Sequence, residues 1–177
     1  MRRGMTELGE FRDGKDAFFK SDDDSPLTSG QKQNFEGLKY YPENERLRFE
    51  VDVEVFMNQN VMQMATSTGE VAAYQRWGIF RFEVDGQEAS LTLYRDLQMG
   101  MLFLPFVDAT TVEETYGSGR YLEPEIIGND RIRIDFNLAY NPYCAYNQNW
   151  SCPIPPDENH VDVLIRAGEK IPSFTIH

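Results

Sequence analysis

From Arg46 onward the chain places an apolar side chain at every second position. Leu47, Phe49, Val51, Val53 and Val55 alternate with Arg46, Arg48, Glu50, Asp52 and Glu54. A period of two fits an extended strand with one buried face and one wet face. Such a strand needs partners, because its backbone N–H and C=O groups must be paired. The candidates follow in order. Asn58–Asn60 turns the chain into 61–67, and Thr68-Gly69-Glu70 turns it again into 71–84, where Phe80, Phe82 and Val84 oppose Ile79, Arg81 and Glu83. Asp85-Gly86 is a two-residue hairpin signal, and Leu91 and Leu93 carry the pattern beyond it. The run MLFLPFV (101–107) reads as a buried strand whose Pro105 points to an edge or a bulge. Strands are also expected over 120–127 and 131–137, joined by Gly128-Asn129-Asp130, and over Val161–Ala167. About eight short strands at hairpin spacing predict a mainly β, single-domain chain, either an antiparallel β-barrel or a two-sheet sandwich.

The segment before Arg46 has a different period. Over residues 6–20, Leu8, Phe11, Phe18 and Phe19 share roughly one helical face, with Glu7 and Glu10 early and Lys15 and Lys20 late, as the helix dipole favours. Gly14 weakens that helix, and Asp22–Asp24 with Ser25-Pro26 ends it. A shorter helix is expected from Thr28 to Gly37. One or two N-terminal helices (6–37) would thus cover one face or opening of a β domain at 44–170. No repeat and no domain-splitting linker interrupts the 177 residues, a length that suits one packed core.

Charge narrows the partners. A formal net charge of −12 and a pI near 4.6 repel nucleic acid and anionic membranes, so neither is expected as a partner. Acidic residues number 29 against 17 lysines and arginines, a balance that suits a halophile's protein or an ordinary acidic cytosolic one. The opening MRRGMTELGEF has basic residues with no apolar stretch behind them, unlike a secretory signal, and no window approaches a membrane span. A cytoplasmic chain is expected, with its two cysteines, Cys144 and Cys152, more often thiols than a disulfide.

The richest stretch is Arg131–Asn159. It begins as a strand and becomes a loop holding both cysteines, Tyr140, Tyr143, Tyr146, Trp150 and Pro142, Pro153, Pro155 and Pro156. So many aromatics either pack the loop onto the β domain or wall a pocket with polar tips. Asp135 and Asn137 oppose the apolar row Ile132, Ile134 and Phe136, and a buried Asp135 would suit a general base. Upstream, Tyr116-Gly117-Ser118-Gly119-Arg120 contains G-x-G. No third glycine, lysine or following helix supports a phosphate loop, so it reads as a tight turn presenting Arg120 and Tyr121. Cys144, Cys152 and His160 form C-x7-C-x7-H, too widely spaced for a zinc site, and no metal or cofactor is expected.

These segments also resemble a known family. PFVDATTVEETYGSGRYLE (105–123) and DFNLAYNPYCAYNQNWSCPIPPDENHVDVLIRAGEK (135–170), with KDAFF (15–19), Ser25-Pro26-Leu27 and FEGLKYYP (35–42), resemble the bacterial and archaeal domain of unknown function 1684. The resemblance implies a shared pattern at Phe106, Asp108, Thr115, Tyr116, Gly119, Arg120, Tyr121, Asp135, Asn137, Tyr140, Asn141, Cys144, Cys152, Pro153, Pro155 and Asn159. It implies no activity, and His160 lies outside the pattern. The TVEE segment (111–114) departs from a glycine-containing version, which bears on the turn there.

Three functions follow from these residues. The first is a binding module whose pocket lies under the 138–159 loop. Arg120 would meet an anionic or carboxylate small molecule. Tyr116, Tyr121, Tyr140 and Tyr143 would wall the site, with Asn141 and Cys144 beside them and Asp135 and Asn137 fixing orientation. The second is an enzyme at the same place, with Asp135 as base, Arg120 as electrophilic stabiliser and Tyr121 or Tyr140 as acid; Cys144 as nucleophile is a weaker variant. The third is a structural or protein-interaction domain in which the polar cluster is a buried network pinning the loop.

Overall fold

The computed structural model describes residues 6–172, so the basic opening Met1–Met5 lies outside the described residues. Helix α1 spans Glu7–Ser21, and Thr6 caps it by accepting the Gly9 amide at 3.0 Å. Helix α2 spans Ser29–Asn34 and starts with a capping box between Thr28 and Gln31. It stops short of the expected Gly37. Leu8 and Phe19 of α1 are buried, while Phe11 on the expected apolar face is exposed.

Nine strands follow among the described residues: β1 Arg48–Asp52, β2 Glu54–Val55, β3 Val61–Ala65, β4 Val71–Val84, β5 Gln87–Asp96, β6 Leu102–Phe106, β7 Arg120–Leu122, β8 Glu125–Gly128 and β9 Arg131–Asp135. They form two antiparallel sheets. One has the order β1-β9-β8; the other runs β2-β4-β5-β6-β7, with β3 also on β4. These strands close no barrel; the sheets stack as a sandwich. Phe49, Ile132, Ile134 and Phe136 from one side meet Phe80, Phe82, Leu91, Leu93, Leu104 and Phe106 from the other. Ring pairs such as Phe82–Phe136, with centroids 5.3 Å apart, knit the layers.

Two expected strands each prove to be a pair that changes sheets. The alternating run at 46–55 breaks at Val53, whose amide donates to Asp130 O at 2.7 Å, so β1 joins the small sheet and β2 the large one. Gly78 permits this corner: a Cβ there would lie 2.6 Å from Val53 Cγ1, and the β4–β5 register shifts beside it. Likewise 120–127 divides between β7 and β8 on either side of Glu123-Pro124. At Asp85-Gly86 both residues have positive φ, 49° and 81°, as the two-residue hairpin requires. In the 111–114 turn Val112 also takes a positive φ, 81°, a conformation that a glycine would adopt without strain.

The expected strand Val161–Ala167 is a correction. The segment buries Val163, Ile165 and Ala167, but no strand ladder pairs it among the described residues. Two backbone hydrogen bonds, Val161 N to Val107 O and Ala109 N to Val163 O, both 2.9 Å, begin the pairing, and side chains complete it. Asp108 accepts the Ile165 amide at 2.8 Å, and the Arg120 guanidinium donates to the carbonyls of Ile165 at 2.9 Å and Ala167. Pro105 behaves similarly. Beyond Leu102 and Phe103, β6 leaves β5, and the Asn159 amide fills the gap. It donates to Thr92 O at 2.9 Å and Pro105 O at 2.8 Å, and accepts the Thr92 amide at 2.8 Å.

Candidate functional site

Both faces of the large sheet are covered. One packs on the small sheet. On the other lie Tyr94, Phe103, Tyr121 and Met64, over which the 138–159 loop folds, and α1 then rests on that loop through Phe19 against Tyr143 and Tyr146. The Gln31 side chain ties α2 to the same loop by donating to Tyr146 O at 2.9 Å. The functional candidates from the sequence fall into two separate groups within this arrangement.

The first group is closed. Arg120 is 1% exposed, pairs with Asp108 at 3.4 Å and directs its terminal nitrogens at backbone carbonyls. Burial lowers its pKa from the usual value. It therefore offers no open face to a carboxylate ligand, contrary to the expected role. The tight turn preceding it does form: Gly119 has φ +90°, and a Cβ there would sit 2.5 Å from Phe106 O. Asp135 lies elsewhere, accepting from Arg48 Nε at 3.0 Å and capping Asn137 N at 2.9 Å. Asn137 exchanges hydrogen bonds with the Asn44 backbone, and Asn141 bonds Lys170 O and Glu169. These four residues hold chain segments together. Asp135 and Arg120 share no hydrogen-bond partner among the described residues, so the base–electrophile pairing expected from sequence is not assembled.

The second group is open. Tyr121, Tyr140 and Tyr143 line a hollow of about 390 Å³ with Lys15, Pro142, Trp150, Ser151, Cys152 and Pro153. Tyr143 and Trp150 meet edge to face at 5.0 Å, and Tyr121 and Tyr140 at 5.8 Å. Fixed acceptors orient the phenols: Tyr121 donates to Pro153 O and Tyr140 to the Glu123 carboxylate. Lys15 Nζ stands 4.8 Å over the Tyr140 ring and 2.7 Å from Glu169. A second hollow of about 280 Å³, lined in part by Met99 and Met101, adjoins across the shared Tyr121, Tyr140 and Pro153. A larger depression of about 620 Å³ near Asn44, Glu83 and Arg166 has none of these aromatics.

Electrostatics favour holding over proton transfer. Burial raises Tyr121 and Tyr140 well above the usual phenol value and pushes Tyr116 up to about 12. Burial also raises Glu123. Near neutrality such phenols stay protonated and serve as donors; a general acid works best with a pKa near the ambient pH.

At the pocket wall lies the Cys152 thiol, with Cys144 behind it. Both are free and buried. The Cys144 amide donates to Cys152 Sγ at 3.2 Å, and the Tyr116 hydroxyl lies 3.8 Å from Cys144 Sγ. The Cys152 thiol hydrogen bond, more than any other factor, lowers Cys144 to about 6, while that same contact raises Cys152. His160 sets Nε2 against Pro155 O at 3.3 Å, and among the described residues no group of three or more His, Cys, Asp or Glu is placed to hold a metal.

Sequence reasoning missed Lys15, Pro142, Ser151, Cys152 and Pro153 as pocket lining. Lys15 looked like a solvated cation near a helix end. Its signal was the KDAFF segment, whose Phe19 docks on the loop.

The fold and site thus define an antiparallel β-sandwich with an aromatic pocket built by a helix-braced loop. The family model described as protein of unknown function (DUF1684) matches residues 33–170, and the chain belongs to that family. It is also similar to the solution structure of an uncharacterized protein from gene locus rrnAC0354 of Haloarcula marismortui. The two are 34% identical with a TM-score of 0.71, over 93% of this chain and 92% of the other. No curated protein matches the chain.

Proposed function

We propose that this chain binds a small, flat, largely apolar molecule in the hollow between Lys15, Tyr121, Tyr140, Tyr143 and Trp150. The observation that carries this reading is the convergence of four aromatic rings on one concave site, Tyr121 from β7 and Tyr140, Tyr143 and Trp150 from the 138–159 loop. Its volume, about 390 Å³, lies in the range of small-molecule pockets. Rings already fixed by edge-to-face packing lose little freedom when a ligand stacks on them. An acidic group on the ligand would meet Lys15 rather than Arg120, and would compete with Glu169 for it.

Titration with benzoate, naphthoate, indole and related planar compounds, followed by tryptophan fluorescence, tests this. The expected result is a saturable change that persists in Trp77→Phe and disappears in Trp150→Phe, with a rise in melting temperature by mass action. No saturable change with any member of the panel overturns the reading.

The buried Arg120–Asp108 and Asn159 networks favour a second reading for their own region, a purely structural one. We also infer a cytoplasmic setting, supported by two thiols that lie side by side without a bridge. Among the described residues no helix is long and apolar enough to cross a membrane. The charge of −12 and the relative from Haloarcula marismortui support life at high salt. Melting temperature against KCl concentration checks it: a rise of several degrees toward molar salt is expected, and a flat curve sinks the idea.

A further inference from the structure

We propose that Cys144 and Cys152 form a peroxide-reactive dithiol, with Cys144 as the attacking sulfur and Cys152 as the resolving one. Three features meet at this place. The chain has only two cysteines, and the fold brings both ends of the 144–152 segment together, with Cys152 Sγ 3.2 Å from the Cys144 amide. Cys152 lines the aromatic pocket, so the pair sits at a wall that solvent reaches. Each cysteine keeps a sliver of exposed surface, 6% and 7%.

The Tyr116 hydroxyl, 3.8 Å from Cys144 Sγ, marks Cys144 as the attacking sulfur. A thiolate at Cys144 is held by the Cys152 thiol and the Tyr116 hydroxyl. These contacts lower the pKa of Cys144, whereas Cys152 is the partner that the shared contact raises, and it serves as the second reactant. In the first step the Cys144 thiolate attacks hydrogen peroxide. An S–O bond forms, the O–O bond breaks, and the departing hydroxide takes a proton to leave as water. In the second step the Cys152 sulfur displaces hydroxide from the Cys144 sulfenic acid. The S–S bond forms, the S–O bond breaks, and the thiol proton leaves with the hydroxide as a second water. The two sulfurs together lose two electrons, and one peroxide is reduced. Forming the bridge draws Cys152 toward Cys144 and reshapes the pocket wall beside Ser151 and Pro153.

The test uses the full reduced chain without any added ligand, so its failure leaves the pocket reading intact, and the fluorescence titration is run with both thiols reduced. Stoichiometric hydrogen peroxide is added between pH 5 and pH 9, with a metal chelator present. Expected are the loss of both thiols, a mass decrease of about 2 Da and a rate that climbs with pH and levels off below the value of about 8.5 usual for a free thiol. In Cys152→Ser a sulfenic acid should accumulate at Cys144 and be trapped by dimedone once the treated chain is unfolded in urea, with the rate profile moved to higher pH. Three results overturn the proposal: thiols that survive the treatment, oxygen added at either sulfur without a bridge, or a rate matching that of the urea-unfolded chain at each pH. Because the wild-type measurement decides among these, a misfolded variant does not rescue the idea.

Discussion

The small sheet and the region around Arg120 solve the same problem in different ways. Strands β1 and β9 satisfy their facing backbones by an uninterrupted ladder, from Arg48↔Asp135 to Asp52↔Arg131. Their charged side chains, such as Arg131 paired with Asp52 at 2.8 Å, lie outside in water. Around Arg120 the chain is at least as well buried, but β7 has a ladder only with β6 and the 161–167 segment has none, so individual polar side chains stand in. Asp108 and Arg120 serve Ile165 and Ala167; Asn159 serves Thr92 and Pro105. The lesson concerns replaceability. Where backbone pairs with backbone, an outward side chain is nearly free to vary. Where a side chain replaces a strand, its donors and acceptors are as necessary as a ladder.

The contrast breaks most clearly at Arg120. Arg120→Met leaves Asp108 buried without its cation and removes the guanidinium from the carbonyls of Ile165, Ala167 and Glu169, and should cost about 3–5 kcal/mol in urea denaturation. Arg131→Ala, which removes an exposed pair, should cost less than about 1 kcal/mol in the same assay. Similar values for the two would erase the distinction. Asn159→Ala comes next. It strands one amide and two carbonyls in a dry gap, and a loss of about 2–4 kcal/mol is expected from the cost of unmet buried groups. A near-neutral result would mean that β5 and β6 close up without it.

The smallest effect lies at the rim of the Arg120 region. Glu114 accepts from Arg166 at 3.0 and 3.1 Å and from Tyr41 at 2.9 Å, chiefly the first of which holds its pKa below the usual 4.5. The folded chain therefore takes up this proton less readily than the unfolded one. The contribution is complete above about pH 4.5 and fades as pH falls through the lower folded value. Between pH 5 and pH 3 the urea midpoint should fall less in Glu114→Gln than in wild type, and equal falls would remove Glu114 from the account.

Legibility followed the same division. The alternation from Leu47 to Val55 revealed which side chains turn inward, and the sandwich was within reach of the sequence. The change of sheet at Val53 was not, because alternation continues unbroken through the corner and only the distant Gly78 makes room for it. Val161–Ala167 shows the limit in another form: its period correctly marks Val163 and Ile165 as buried, yet period carries no information about what pairs with the backbone. Arg120 beside a glycine turn is equally consistent with a ligand's carboxylate and with the carbonyls of a neighbouring segment. At the pocket, tyrosines 121, 140 and 143 were recognisable by their density, whereas Lys15 was not, since it arrives from helix α1, far away along the chain.

The pairing of β1 with β9 has a consequence for how the protein is made. Arg48 and Asp135 are 87 positions apart, and synthesis runs from the first to the second. Strand β1 therefore leaves the ribosome with no ladder partner, and its apolar row, Phe49 and Val51, stays without its cover until Asp135 has emerged. The hairpins β3–β4, β4–β5 and β5–β6 of the large sheet, each closed by a short turn, complete their pairing within that interval. The nascent chain thus carries an unpaired β1 for about half of its translation, and the last third of the sequence acts as its cap.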